Sequence, residues 1–135
     1  MATFTKFQPF VENLAEGVHN LATGQLVVAL TNTAPSAANS VLADITQIAY
    51  TNLSSRNITT TSSSQTTGTY SLVLTDLVLT ATGAVGPFRY VVIYNDTPTS
   101  PADPLVGYYD YGSSISLANG ETFTIDFGAN LFTLA

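Results

Sequence analysis

The residue with the widest catalytic repertoire in this 135-residue chain is His19, its only histidine. It lies three residues after Glu16 in the segment EGVHNLA, beside it on a predicted helix. A catalytic histidine needs a nucleophile and an orienting carboxylate that converge on it in space. Ser and Thr are abundant, but the G-x-S-x-G motif is absent. We therefore predict that His19 is an ordinary surface or core-edge residue and that the chain is not an enzyme.

Carboxylates are the next group that could do chemistry. Asp96 and Asp103 lie near the two ends of the proline-rich segment DTPTSPADP and Asp110 follows it, but they lack the spacing of an EF-hand loop. Asp110 and Asp126 lie on neighbouring predicted strands, as a glycosidase pair would, but no Trp accompanies them as a sugar platform. Because Asp often starts or stops turns, we predict structural roles, with no metal and no cofactor. The absence of cysteine excludes thiolate nucleophiles and Cys-type zinc sites.

Only three side chains are cationic, namely Lys6, Arg56 and Arg89. Arg89 stands at the head of the most hydrophobic β-like run, GPFRYVVIYND. An unpaired Arg on an apolar face is costly, so we predict a bidentate carboxylate partner on a neighbouring strand or another subunit. Any ion pair of Arg56 is expected to be local, and both arginines are interface candidates.

The tyrosines form a third group, concentrated at positions 90, 94, 108, 109 and 111. Tyrosine adds a large contact area at a small entropic cost, so such a cluster serves equally well as a binding face or as the lining of a sheet. Tyr108 and Tyr109 are the interface candidates in this group.

Composition excludes several classes of partner. The net charge of −6 argues against nucleic acid and against an anionic membrane surface. No apolar run approaches the length of a membrane span, and the first residues lack a signal-peptide pattern, which predicts synthesis in the cytoplasm. Charged residues make up only 9% of the chain, against a usual quarter. A hydroxyl-rich surface with so little charge favours a protein whose faces are partly covered by neighbours.

The first half of the chain must hold two short helices and one strand. Helical spacing predicts a helix over residues 8–24, and a strand over 25–32 that is apolar on both sides and hence central in a sheet. A short helix or helical turn is expected over 39–49. Residues 51–69 predict a polar loop or an extended arm. Residues 1–10, with Phe4, Phe7 and Phe10, look like an anchoring arm.

The second half predicts strands throughout. The side-chain phase changes at Asp76, which indicates a bulge or a break between two strands. Alternation places Phe88, Tyr90, Val92 and Tyr94 on one face of the next strand. Near the C-terminus we predict a hairpin with a three-residue loop that pairs Leu117 with Glu121 and gives Gly120 a positive φ.

Together these elements predict a single, mainly β domain over residues 1–135. The fold class is a β-sandwich or flattened barrel of about seven or eight antiparallel strands. One or two short helices lie near its N-terminus.

Several blocks of the sequence resemble a family of small virion structural proteins of tailed bacteriophages. They are GTYSLVLTDLVLTATGAVGPFRYVVIYNDT, DPLVGYYDYGSSISLANGETFTIDF and LFTLA, with LVVALTNTAP and VLADITQIAYTN in the first half. The segment YTNLSSRNITT departs from the Tyr-Thr-x-Gly-Gly turn that is usual in the family. The resemblance implies a decoration or cement protein on the outer surface of the head, binding the major capsid protein as a homotrimer. It also implies a virion protein made in the host cytoplasm.

Three alternatives remain open beside this expectation. Within virions, a tail tube or tail-completion subunit is also β-rich. From other classes, a carbohydrate-binding β-sandwich module with its tyrosine strands as a platform is an alternative, and a small hydrolase is formally open.

Overall fold

The computed structural model describes residues 2–135 and is mainly β, which confirms the predicted fold class. Over that range nine strands form three antiparallel sheets, beside one α-helix and one short 3-10 helix. The elements are β1 (Phe4–Lys6), α1 (Gln8–Ala15), β2 (Leu26–Thr31), the 3-10 helix (Leu42–Asp44), β3 (Thr60–Thr66), β4 (Thr69–Leu74), β5 (Leu77–Thr80), β6 (Val85–Asn95), β7 (Leu105–Leu117), β8 (Thr122–Ile125) and β9 (Phe132–Leu134).

The largest sheet has four strands in the order β1-β7-β6-β2. A three-stranded sheet has the order β3-β4-β9, and β5 pairs with β8 in the third. One apolar core joins all three sheets, because residues of β2, β6 and β7 pack against residues of β4, β5, β8 and the segment before β9. The opposite face of the four-stranded sheet is covered by a second cluster that includes Phe7 and Ile45.

Strand β6 carries irregularities that alternation alone does not predict. The register against β7 shifts between Phe88 and Tyr90, so the side-chain phase changes at Arg89. Phe88 therefore shares the main core with Val91 and Ile93, whereas Val92 faces the second cluster. The prediction that Phe88 and Val92 lie on one face was wrong because it assumed an unbroken strand.

The phase change at Asp76 is a break between two strands. Strands β4 and β5 belong to different sheets and are separated by Thr75 and Asp76. The Asp76 carboxylate accepts a hydrogen bond from the Phe127 N–H at 3.0 Å, which ties the break to the end of β8. Leu74 and Leu79 are thereby both buried despite their opposite parity.

Strand β2 is an edge strand, although its six buried residues predicted a central one. Its outer edge is covered by the irregular segment before β3. The Ile58 N–H donates to the Leu26 carbonyl, and the Val28 N–H donates to the Arg56 carbonyl, both at 2.9 Å. Burial on both faces therefore reflects this cover, not a second flanking strand.

The helices are shorter than predicted. Helix α1 ends at Ala15, and Gly17 follows with a φ of +80°, a conformation that stops a helix. The sequence prediction placed the end at Gly24 and was wrong because it treated Gly17 as an interior helix residue. The predicted second helix exists only as the 3-10 helix Leu42–Asp44. Neither helix in residues 2–135 has the length and hydropathy to cross a bilayer.

Both predicted arms belong to the folded domain. Strand β1 pairs with β7, and Phe7 is fully buried, so residues 4–10 are part of the core and not a free anchor. Strand β3 pairs with β4 through a turn at Thr67 and Gly68, both with positive φ. The second half of residues 51–69 is thus an exposed hairpin strand of this chain.

The chain turns between β7 and β8 as Gly120 predicted, but the strands do not form the predicted hairpin. Gly120 has a φ of +85°, and the Glu121 N–H donates to the Ala118 carbonyl across the turn. Strand β7 pairs with β6 at this end, and β8 pairs with β5. The predicted pairing of Leu117 with Glu121 was wrong because the turn carries the chain from one sheet to another.

Candidate binding groove

An apolar groove lies where β1, α1 and β9 meet, with a cavity volume of about 380 Å³. Its walls are the side chains of one face of β1, one face of α1 and the last strand. The lining residues are Phe4, Lys6, Phe10, Val11, Leu14, Leu131, Phe132, Thr133 and Leu134.

The groove contains two of the three large apolar residues that are exposed among residues 2–135. Val11 is 52% exposed and Leu134 is 54% exposed, and the only other large exposed apolar residue in that range is Val78 on β5. The groove floor is aromatic, with Phe4 stacked on Phe132 at 6.4 Å between ring centroids. Exposed apolar side chains over a packed aromatic floor are typical of a surface that binds another molecule.

Strand β1 leaves one edge of the four-stranded sheet free beside this groove. The Phe7 N–H donates to the Val106 carbonyl at 3.1 Å, which fixes the side of the chain that faces β7. Backbone groups of an extended strand alternate in direction, so Thr5 also faces β7. The N–H and C=O groups of Phe4 and Lys6 therefore point to the free edge.

The last strand, β9, leaves a second free edge at the same groove. The Leu131 N–H donates to the Leu72 carbonyl at 2.7 Å, so the backbone of Leu72 faces β9, and the register places Phe132 opposite Leu72 and Leu134 opposite Tyr70. The backbone groups of Phe132 and Leu134 therefore face β4, and by alternation those of Thr133 point to the free edge. Phe4, Lys6 and Thr133 thus line the groove and also point backbone groups to free sheet edges.

Lys6 places a positive charge at the groove. It is exposed, and the single salt bridge within residues 2–135 joins Arg89 to Asp110 instead. The groove is therefore apolar with one ammonium group beside it, in a chain whose net charge is −6.

Arg89 has the partner that its position predicted. Its Nε and Nη2 donate to the two Asp110 carboxylate oxygens at 2.8 and 3.1 Å, across the β6–β7 pair. This pair, with the Gly112 N–H as a further donor, lowers the pKa of Asp110. The side chains are 38% and 43% exposed, so the pair orients surface groups and adds little stability.

Arg56 makes no salt bridge within residues 2–135 and does not line the groove. Its guanidinium stacks 3.7 Å from the Tyr50 ring centroid, and Nη1 donates to the Val28 carbonyl at 2.5 Å. A cation over an aromatic face is stabilised by the ring quadrupole. Arg56 therefore helps to close the outer edge of β2.

The tyrosine pair of β7 lines the sheet. Tyr109 is 2% exposed and packs edge-on against Phe4 at 5.7 Å, and burial raises its pKa. Tyr108 lies against Phe7 on the opposite face at 5.1 Å. Neither ring is arranged as an exposed platform, so these two residues support the groove and the core from within.

His19 is a buried core-edge residue and not a surface one. It follows α1 in an irregular segment, is 6% exposed, and its Nδ1 lies 3.1 Å from Asn95 Nδ2. Its Nε2 has no hydrogen-bond partner within residues 2–135, and Phe10 packs on the ring. Burial lowers the pKa of His19 to about 4, so it is neutral at pH 7.

The aspartates considered as candidate metal or catalytic groups have different partners in the fold. Asp103 is close enough to Asp96 for a hydrogen bond, and its pKa is raised by burial and then by that neighbour. Asp110 is engaged by Arg89, whereas Asp126 accepts the Gly128 N–H at 2.7 Å. Within residues 2–135 no three His, Asp or Glu side chains cluster as metal ligands do.

The groove was only partly visible in the sequence. Phe4 and Phe10 were singled out and line it, but Phe7 lies on the other side of the sheet. Val11 and the strand Phe132–Leu134 were not candidates. Val11 and the last strand gave only a weak sequence signal. An exposed Val on a helix and an apolar last strand are also common in proteins whose sheet edges are covered.

The fold is mainly β and carries an apolar groove between two sheet edges. Comparisons of the chain with protein-family models, with curated proteins and with solved structures find no match.

Proposed function

We propose that this chain is a structural virion protein that binds the outer surface of a capsid as a decoration protein and stabilises the shell. The observation that carries the proposal is the apolar groove flanked by the free edges of β1 and β9. Resemblance to small virion proteins of tailed bacteriophages supplies the class of partner. The partner is then the major capsid protein, the working oligomer is a homotrimer, and the site of action is the outer surface of the head.

The physical basis of binding is the burial of apolar surface together with strand pairing at the free edges. Each Å² of apolar surface removed from water contributes about 25 cal/mol, so even a small groove adds measurable affinity. Charge contributes little, since 9% of the residues are charged and Arg89 is already paired. Binding should therefore persist at high salt, because apolar contacts are screened far less than exposed charges.

The hydroxyl-rich strand β3 is a second feature that supports the proposed position on the capsid. Strand β3 presents Thr and Ser side chains at the edge of its sheet, and six of the seven residues of Thr60–Thr66 are Thr or Ser. Hydroxyl groups exchange hydrogen bonds with water and with a neighbouring chain at little cost. This edge is available for contacts between subunits of the proposed trimer.

The test is co-sedimentation of the full chain with empty shells of the major capsid protein encoded by the same genome. We expect the chain to sediment with the shells at 50 mM and at 1 M NaCl, and to raise the temperature at which they disassemble. Absence from the pellet at low salt, or release at moderate salt, contradicts the proposal. The Val78→Asp variant, altered outside the groove, serves as the control for a change of surface charge.

A further inference from the structure

We propose that the groove binds one extended, apolar peptide segment that carries a carboxylate and adds as a strand to the free edge of β1. This inference rests on the proposed function for the origin of the segment, which on a virion belongs to the major capsid protein. The chemistry of the segment follows from the groove itself, as three features show.

The backbone of β1 selects a peptide as the occupant. The outward N–H and C=O groups of Phe4 and Lys6 need new partners when the groove is covered, because a buried unpaired polar group is costly. A hydrocarbon chain offers no such partners. An extended peptide offers N–H and C=O groups at the spacing of a strand and extends the four-stranded sheet to five strands.

The side chains of the groove select apolar residues in the occupant. Alternate residues of an added strand face the same side of the sheet, and on this side lie Val11, Phe132 and Leu134. Val11 and Leu134 are each more than half exposed in the isolated chain, and a bound strand would cover them. The three residues of β1 define a ladder of roughly 10 Å, which suits a short segment.

The charge of the groove selects a carboxylate. Arg89 is paired with Asp110, and Arg56 is held by Tyr50 and the Val28 carbonyl, so Lys6 is the cation left beside the groove. The rest of the chain is acidic, with nine carboxylate side chains against three cations. An acidic residue in the bound peptide is attracted to Lys6. No other cationic side chain of residues 2–135 lines the groove to pair with it.

The experiment selects, from a random dodecapeptide library, the peptides that bind the full-length chain. We expect enriched peptides with alternating apolar residues and at least one Asp or Glu. Replacing that acidic residue by its amide, or making Lys6→Glu, should weaken binding about fivefold, as expected for an exposed charge pair. The Leu134→Asp variant should weaken it at least about tenfold, because a carboxylate enters the apolar contact.

The matched control is Val78→Asp, which places the same charge at an equally exposed apolar position outside the groove (51% against 54%). It should bind the enriched peptides as the unmodified chain does. Amide hydrogen exchange adds a readout specific to strand addition. The N–H groups of Phe4 and Lys6 should become protected in the complex, whereas that of Phe7 is protected beforehand.

Two results overturn the inference. One is the absence of enriched peptides. The other is peptide binding that neither Lys6→Glu nor Leu134→Asp weakens. Shell sedimentation separates this failure from failure of the proposed function. Shells that retain the Leu134→Asp variant refute the groove as the docking site but keep decoration. Peptide binding without shell binding keeps the groove and refutes decoration.

Discussion

Acidification should unfold this protein through His19. The side chain is buried against Phe10 at the end of β6, and its lowered pKa means that the folded state excludes a proton that the unfolded chain accepts. The pKa is 6.5 in the unfolded chain and about 4 in the folded one. Between these values the unfolded state binds more protons, so the free energy of unfolding falls as the pH falls.

The magnitude follows from the same two values. Above pH 6.5 His19 is neutral in both states and carries no penalty. A difference of 2.5 between the two pKa values is worth at most about 3.5 kcal/mol, at about 1.4 kcal/mol per unit. About 2 kcal/mol of this should be lost by pH 5 and nearly all of it by pH 4. For a chain of this length that is a large part of the total stability.

The assay is urea unfolding followed by circular dichroism at pH 7, 6, 5 and 4, for the unmodified chain and for His19→Asn. Asparagine does not titrate and keeps an acceptor oxygen for the Asn95 amide. Asp44 and Asp110, with lowered pKa values, and Asp103, with a raised one, also titrate on acidification. They are common to both proteins, so the difference between the two pH profiles isolates His19.

We expect His19→Asn to be less stable at pH 7, because a smaller side chain leaves a void, but to lose about 3 kcal/mol less between pH 7 and pH 4. Parallel profiles for the two proteins would refute the reasoning. So would an NMR titration of the folded protein that places the His19 pKa near 6.5.

Three further substitutions test other parts of the structure. Gly120→Val should lower the free energy of unfolding in urea by on the order of 1–2 kcal/mol, because Gly120 has a φ of +85°. No neighbouring atom of residues 2–135 lies within 4 Å of the added Cβ, so the cost comes from the backbone conformation alone. A cost near zero contradicts the turn. Phe7→Ala should lower the free energy of unfolding by about 3–5 kcal/mol, since the ring is fully buried. A cost below about 1 kcal/mol would mean that residues 1–10 are an arm outside the core. Arg89→Gln should raise the pKa of Asp110 toward its usual value, as measured by NMR titration. The urea midpoint of unfolding should change little. An unchanged Asp110 pKa contradicts the pairing.

Local patterns predicted the strands and the side-chain partner of Arg89 because those features depend on short-range physics. Alternation marks a strand wherever one face is buried, and an Arg in an acidic chain finds a carboxylate across the nearest pair of strands. The positive φ of Gly120 followed for the same reason, since few residues other than glycine tolerate it.

The partners of those strands could not be predicted, because pairing depends on contacts between residues far apart in the chain. Strands β7 and β8 are adjacent in sequence, yet each pairs with a strand before it. The buried residues of β2 suggested flanking strands, but the cover is an irregular segment held by Arg56. A register shift at Arg89, where this one residue of β6 lies opposite four residues of β7, changed the side-chain phase along β6.

The groove escaped prediction for a related reason. Val11 on α1 and Leu134 on β9 are 123 residues apart, and only the closing of the last strand onto β4 brings them to one surface. The burial of His19 was missed because the end of α1 at Ala15 was missed, and the turn at Gly17 carries the following segment onto β6.

The central claim is that this chain sits on the outside of a capsid. The most direct measurement is electron cryomicroscopy of purified particles produced from the genome that encodes it, with the map searched for this fold. The proposal predicts density for the nine-stranded domain on the outer surface of the head, with the groove between β1 and β9 in contact with the shell. Density only in the tail, or particles that lack the chain altogether, would contradict it.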